Sequence, residues 1–235
     1  MLHAVSEGGQ AGPAAAARFR NRGGDISRVE GFSDCAFGFA VTLLVVSLEV
    51  PATFDGLVSV LRGIPSFAVS FAVLAWIWFH HYRFFRRYGL EDVPTVLLTL
   101  LLVFVMLCYV YPLKFLYQVS LGPAASTITA PQLRALFVIY GVGLAAVFSV
   151  LLAMHLHAYR CRERLELNEL ERAETRISIG ELTGVVGVSL LSCTVAMLPV
   201  RDAYALAGLT YFLNGAVYTA SGRRRRLVRR RSASG

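Results

Sequence analysis

Six long apolar stretches constrain this chain more than any other feature of its sequence. They cover residues 29–50, 61–82, 95–117, 134–157, 177–200 and 202–221. Each is close to the ~20 residues that a helix needs to cross a membrane core about 30 Å thick. Only 16% of the residues are charged, whereas about a quarter are charged in a soluble domain. Because the stretches are continuous rather than alternating, they exclude a closed barrel and predict an all-α integral membrane protein.

The basic residues are distributed unevenly over the connections between these stretches. Of the 23 lysines and arginines, all but four lie before span one, after span two, between spans four and five, or after span six. The four exceptions are Arg62, Lys114, Arg134 and Arg201. Since basic residues are enriched in cytoplasmic loops, this asymmetry predicts six spans with both termini in the cytoplasm. The positive charge thus reflects topology and contact with anionic lipids, and we expect no nucleic-acid partner.

The chain divides into three parts by composition. Residues 1–27 are rich in Gly, Ala and Arg and contain no apolar signal region, so we expect a disordered cytoplasmic tail. Residues 28–221 form the six-span domain, and residues 222–235 form a basic cytoplasmic tail that contacts lipid. The charged connection 160–176 is predicted to extend span four as a helix.

The four cysteines do not predict a metal centre or a disulfide framework. Cys35, Cys108, Cys161 and Cys193 show no CxxC spacing, and three of them fall within spans. No phosphate-binding loop and no cluster of catalytic residues appears in the sequence. We therefore expect no metal, no cofactor and no enzymatic activity.

The start of span one carries the most informative polar residues. Arg28, Ser33 and Asp34 precede a segment, 35–46, that has one hydroxyl and no charge. An aspartate inside a span costs a few kcal/mol on insertion scales, so Asp34 needs a partner or a wet cavity. An ionisable residue in this position is a functional-site hypothesis by default.

Helical geometry separates this aspartate from an apolar face of the same span. At about 100° per residue, one face carries Cys35, Phe39, Thr42 and Val46, with Leu43 at its edge. We call these four residues the first-helix stripe.

Two arrangements of span one remain open at this point. In the first, the first-helix stripe faces a symmetry axis, and Ser33 and Asp34 point into the subunit toward span two or three. In the second, Asp34 itself lines a path and the stripe is ordinary packing.

Two adjacent histidines near the end of span two also have two interpretations. His80 and His81 point about 100° apart on a helix, so they do not chelate a metal from one face. They are either an interfacial pair beside the tryptophans of this span, or partners of Asp34 or Arg28. In the second case, protonation of a histidine would be linked to gating.

The first span resembles the transmembrane-protein-175 family of potassium channels. The matching residues are Arg28, the Phe32-Ser33-Asp34 motif, the segment 42–45 (Thr-Leu-Leu-Val) and Pro51. The similarity extends over all six spans, which makes residues 28–221 a six-span channel domain. The resemblance implies a cation channel without the usual TVGYG filter, and no such sequence occurs here. It also implies a homotetramer in which span one lines the pore.

The resemblance assigns roles to individual residues of span one. In the family, an aliphatic residue five positions after the motif aspartate forms a hydrophobic constriction, and a threonine eight positions after it contributes to selectivity. These positions are Phe39 and Thr42, and Leu43 and Val46 extend the constriction. The family usually has Ile or Leu where this chain has Phe39, and four phenyl rings narrow a pore more than four aliphatic groups.

The sequence therefore predicts a passive, potassium-selective cation channel. We expect a homotetramer in the cell membrane whose partners are potassium ions and lipids. Arg28, Phe32, Ser33 and Asp34, with His80 and His81, form the predicted gating network. The alternative is a proton-coupled or other secondary transporter that uses Asp34 and the two histidines as a relay.

Overall fold

The chain folds into a bundle of helices. The computed structural model describes residues 19–46, 52–121, 128–199 and 203–234, and within these ranges every regular element is a helix. The eight helices are α1 (Arg28–Val46), α2 (Phe54–Arg62), α3 (Ile64–Tyr88), α4 (Val93–Leu121), α5 (Ala130–Arg160), α6 (Glu169–Ala196), α7 (Ala203–Thr210) and α8 (Leu213–Ser234). The prediction of an all-α membrane protein is confirmed.

Four of these helices are long and apolar enough to cross a membrane: α3, α4, α5 and α6. They correspond to predicted spans two to five. The helix of span one, α1, is 19 residues long and contains Arg28, Glu30 and Asp34. Predicted residues 47–50 of that span, and Pro51 after it, lie outside the described residues.

The last predicted span is two helices rather than one. A turn at Tyr211 and Phe212 separates α7 from α8, and their amides bond to carbonyls three residues earlier, Gly208 and Leu209. The buried Ser192 hydroxyl of α6 donates to the Ala207 carbonyl at 2.9 Å and fixes α7 before the break. After the break α8 continues without interruption through the basic residues 223–231.

The charged connection between α5 and α6 differs from the prediction. Instead of extending α5, residues 161–166 form turns, and Glu166 has a left-handed φ of 47°. A new helix then begins at the capping box of Asn168 and Glu171, in which the Glu171 amide donates to Asn168 Oδ1 at 2.8 Å. The charged residues after this cap therefore extend span five, not span four.

The core lies where α3, α5 and α6 meet. Its largest fully buried side chains include Phe84 and Tyr88 of α3 and Phe148 and Leu151 of α5. The contact between α5 and α6 is the most extensive in the bundle, whereas α1 packs against α3 and α4. Within the described part of the chain, one side of α1 is therefore exposed.

The segment 19–27 has defined contacts although it belongs to the predicted disordered tail. Glu171, whose side chain is fully buried, pairs with Arg22 at 2.7 Å and with Arg20 at 3.1 Å. The backbone amide of Arg20 also donates to Glu171 at 2.9 Å. These bonds fasten the segment before α1 to the start of α6. Residues 1–18 lie outside the described part of the chain.

We expect Glu171→Gln to destabilise the protein because two arginines lose their shared carboxylate. Breaking a buried ion pair costs 3–5 kcal/mol, but Arg20 and Arg22 reach water, so about 2 kcal/mol is expected. That loss lowers Tm in detergent by roughly 4–8 °C. Glu169→Gln, an exposed residue in the same helical turn, is the matched control. Equal Tm values for the two variants would contradict the assigned role of Glu171.

Candidate pore-lining helix

Helix α1 begins at a local capping arrangement and has one buried face. The Ser27 hydroxyl accepts a hydrogen bond from the Glu30 amide at 3.1 Å, as expected of an N-cap serine. The Ser33 hydroxyl donates to the Glu30 carbonyl at 2.8 Å. The buried face against α3 and α4 consists of Glu30, Ser33, Ala36, Phe37, Ala40 and Leu44. Its small residues allow close approach between helices.

The opposite face of α1 is exposed on the subunit. Phe39 is 70% exposed, Leu43 is 39% exposed, and Cys35 and Thr42 are exposed as well. The motif residue Phe32, one turn earlier, is 55% exposed. The Val46 side chain lies outside the described part of the chain. The first-helix stripe, as far as it is described, is therefore a surface that the described helices of the same subunit leave exposed.

The motif aspartate lies off this stripe. Asp34 accepts a hydrogen bond from the indole N–H of Trp78 on α3, with an N–O distance of 2.8 Å. Both residues line a cavity of about 350 Å³ between α1 and α3, together with Phe37, Phe71 and Leu74. Asp34 thus points toward span two, which is the direction of the first predicted arrangement.

The structure does not place either histidine beside Asp34 or Arg28. His80 Nε2 lies 2.9 Å from the Tyr218 hydroxyl of α8. His81 is fully buried between Phe37 and Phe85, and neither of its ring nitrogens has a hydrogen-bond partner among the described residues.

Among the described residues, Asp34 and the two histidines therefore belong to separate contacts: Asp34 bonds to Trp78 and His80 to Tyr218. Arg28 is exposed at the first turn of α1. Of the predicted gating network, the structure buries Ser33 and joins Asp34 to span two.

Sequence reasoning missed a buried cluster of charges at the end of the bundle. Glu174 and Glu181 of α6 are almost fully buried. Glu174 pairs with Arg87 of α3 at 3.4 Å and with Arg229 of α8 at 2.6 Å, and Glu181 pairs with Arg225 at 2.7 Å. The two glutamates are seven positions apart and therefore lie on one helix face, and this spacing is the sequence feature that could have indicated the cluster. Two arginines assigned to lipid contact are thus held by carboxylates of α6.

The far end of α1 is fixed by a lysine. Lys114 of α4 donates from Nζ to the carbonyl oxygen of Leu44 at 3.1 Å. A cationic donor near the C-terminal end of a helix also compensates the helix dipole. Contacts at both ends therefore hold α1 with its apolar stripe outward.

Comparisons with known sequences agree with the resemblance of span one. A sequence model of the family described as endosomal/lysosomal potassium channel TMEM175 matches residues 28–112. A potassium channel of Marivirga tractuosa is 36% identical over 221 residues, covering 87% of this chain and 90% of the relative. A potassium channel of Streptomyces collinus is 26% identical over 200 residues, covering 80% of this chain and 91% of the relative.

The fold is similar to that of solved channels. A crystal structure of the potassium channel MtTMEM175, in complex with a nanobody–MBP fusion, matches with a TM-score of 0.78 and 35% identity over 88% of this chain and 96% of that chain. A TMEM175 homolog from Chamaesiphon minutus matches with a TM-score of 0.58 and 21% identity over 83% of this chain and 96% of that chain, which supports the fold alone. These relatives are ion channels rather than enzymes. The chain therefore belongs to the TMEM175 family of potassium channels.

Proposed function

We propose that this chain is one subunit of a homotetrameric channel that conducts potassium ions passively across the cell membrane. The relatives from Marivirga and Streptomyces are named potassium channels and align over most of this chain. The exposed first-helix stripe, opposite a buried face, is the single observation that carries the proposal. A subunit that exposes an apolar helix face, as far as its residues are described, needs other copies to enclose a pore on that face.

A six-span topology with both termini in the cytoplasm is supported by the ends of the helices. Contacts at one end of the bundle join the segment before α1, the end of α3, the start of α6 and the basic part of α8. These are segments that the charge distribution assigns to the cytoplasm. If α1 is one crossing and α7 with α8 is another, the four long helices bring the total to six.

In the proposed tetramer each residue of the first-helix stripe forms a ring around the axis. Rings of Phe39, Leu43 and Val46 constrict the path and expel water, since apolar constrictions gate by dewetting. The ring of Thr42 provides oxygen atoms to a partly dehydrated ion. The Thr42 hydroxyl donates its hydrogen to the Gly38 carbonyl at 3.0 Å, so the oxygen lone pairs are available to a cation.

The motif residues brace this helix rather than line the path. Ser33 is buried and bonds within its own turn. Asp34 joins α1 to α3 through Trp78. A rotation of α1 about its own axis that breaks this bond also turns the first-helix stripe away from the axis of the proposed tetramer. We propose that these contacts, with Arg28 and Phe32 beside them, set the gating equilibrium.

Thr42→Ala tests the assignment of selectivity. We expect the ratio of potassium to sodium flux in proteoliposomes to fall, because the ring loses four hydroxyl oxygens. A change of about tenfold corresponds to 1.4 kcal/mol of differential ion stabilisation. Thr183→Ala is the matched control, since Thr183 is also an exposed helical threonine bonded to the carbonyl four residues earlier, at 2.9 Å.

Two outcomes contradict the proposal. An unchanged flux ratio in Thr42→Ala, or an equal change in Thr183→Ala, removes Thr42 from the ion path. A flux that saturates at carrier-like turnover and depends on a pH gradient indicates a transporter instead of a channel.

A further inference from the structure

Three side chains with metal-binding atoms converge at the end of the bundle, outside the proposed pore. Asp92 lies in the connection between α3 and α4, and His157 and Cys161 lie at the end of α5. His157 Nε2 lies 3.0 Å from Asp92 Oδ2, and Cys161 Sγ lies 3.8 Å from the same nitrogen. One ligand atom from each residue falls within 4.8 Å of the other two, and all three residues are partly buried.

We propose that Asp92, His157 and Cys161 bind a divalent transition-metal ion of the Zn²⁺ type. Carboxylate, imidazole and thiolate groups are the ligands that Zn²⁺ uses in proteins. Ligands about 2.0–2.3 Å from a tetrahedral ion lie roughly 3.3–3.8 Å from one another. The observed separations of 3.0 Å and 3.8 Å are close to that range, so small movements accommodate an ion.

Local helix geometry brings two of the ligands together. His157 and Cys161 are four residues apart, and the Cys161 amide donates to the His157 carbonyl at 3.0 Å, which continues the helical pattern to the cap. Side chains at this spacing lie on the same helix face. Asp92 faces them from the residue before α4. An ion at this site would therefore tie the connection between α3 and α4 to the end of α5.

Neighbouring groups orient the carboxylate. The Thr95 hydroxyl donates to Asp92 Oδ1 at 2.6 Å, and Arg164 Nη2 donates to Oδ2 at 2.6 Å. Burial raises the pKa of Asp92, but the hydrogen bonds from Thr95, His157 and Arg164 outweigh it and hold the pKa well below its usual range. The carboxylate is thus ionised, as a metal ligand must be.

Arg164 does not block the site. Its side chain is 59% exposed, so it can withdraw into water at the cost of a surface ion pair worth about 1 kcal/mol or less. Without an ion, the Nε2–H group of His157 donates a hydrogen bond to the Asp92 carboxylate. With an ion, the ring proton of His157 is carried by Nδ1 instead, Nε2 gives its lone pair to the metal, and the thiol proton leaves to solvent. Three protein ligands leave a fourth position for water.

An ion-pair cluster without metal is the rival interpretation of the same residues. Asp92, His157 and Arg164 alone account for such a cluster, and Cys161 contributes only a long contact to it. Cys161 therefore distinguishes the two interpretations. A metal site requires its sulfur, whereas the ion-pair cluster does not.

Titration of the full-length, detergent-purified protein with Zn²⁺ and Co²⁺ tests the proposal. We expect one ion per subunit, a higher Tm with Zn²⁺, and a thiolate-to-cobalt charge-transfer band with Co²⁺. Cys161→Ser, His157→Gln and Asp92→Asn should each weaken binding by about tenfold or more. Cys108→Ser and Glu91→Gln are the matched controls, because Cys108 is an exposed cysteine and Glu91 an exposed carboxylate outside the site. Both variants should bind the ion as the parent protein does.

Each measurement can overturn the proposal. Absence of the charge-transfer band in the parent protein removes Cys161 from the site without any variant being needed. Binding of unchanged affinity in Cys161→Ser or Asp92→Asn, with size-exclusion profiles like that of the parent, shows that the ion binds elsewhere. Failure of the parent protein to bind Zn²⁺ leaves the ion-pair cluster as the correct interpretation.

Discussion

Replacing Phe39 by alanine is expected to increase potassium flux through the reconstituted protein by about tenfold or more. A tenfold increase corresponds to a barrier lower by about 1.36 kcal/mol. Phe39 is 70% exposed on the subunit and lies in the middle of the first-helix stripe. In the proposed tetramer, a ring of phenyl groups excludes water from a narrow path, and a potassium ion there loses hydration that apolar groups do not replace. Alanine widens the path and lets water accompany the ion.

Flux from potassium-loaded proteoliposomes measures this effect. Phe104→Ala is the matched control because Phe104 is a 65% exposed phenylalanine on α4, a helix that packs beside α1. We expect no change in that variant and an intermediate increase in Phe39→Leu, which replaces the phenyl ring by a smaller aliphatic group. An increase of equal size at Phe104 would indicate a leak along the protein surface. No increase at Phe39 would place the constriction elsewhere.

The set of residues that share one face of α1 could be predicted because it depends on one helix alone. The positions of Cys35, Phe39 and Thr42 follow from 3.6 residues per turn, and the structure exposes all three together. The long apolar helices were predictable for a similar reason, since the thickness of the membrane sets their length. Local rules suffice where neither packing partners nor distant residues determine the outcome.

Contacts between distant segments could not be predicted in this way. Asp34 needed a partner, but only the packing of α1 on α3 selects Trp78 rather than the nearby His80 and His81. Arg225 was assigned to lipid because basic residues after a span usually contact headgroups. In the fold it meets Glu181, a carboxylate of α6 that a single sequence does not connect with it.

Caps and breaks account for the remaining differences. The connection 160–176 has the charge pattern of a continuous helix, yet the capping box at Asn168 starts a new one. Asp92, His157 and Cys161 escaped notice because one of the three ligand residues is distant in sequence from the other two. Spacing rules for zinc detect ligands that lie in short motifs. They do not detect a site in which two ligands lie on one helix and the third comes from a different connection.

Modification of Cys35 by a positively charged methanethiosulfonate is expected to abolish most of the potassium flux. Cys35 is an exposed free cysteine one turn before Phe39 on the first-helix stripe. A unit positive charge about 4 Å from the ion costs about 4 kcal/mol at an effective dielectric constant of 20. That energy corresponds to about a thousand-fold lower occupancy by potassium, because 1.4 kcal/mol is tenfold.

This experiment distinguishes an axis-facing stripe from a lipid-facing one. The thiolate is the reacting species, and it forms only where water reaches the sulfur. A stripe facing lipid therefore leaves Cys35 unmodified and the flux unchanged, which would contradict the proposed pore. Cys108, an exposed cysteine on α4, is removed by Cys108→Ser. Cys35→Ser in this background retains the partly exposed Cys161 and should be insensitive to the reagent, which assigns the effect to position 35. A neutral methanethiosulfonate of small size should reduce flux far less, since it narrows the path without adding charge. Loss of flux with the charged reagent in the Cys35 protein, together with increased flux in Phe39→Ala, requires both side chains to face the same ion path.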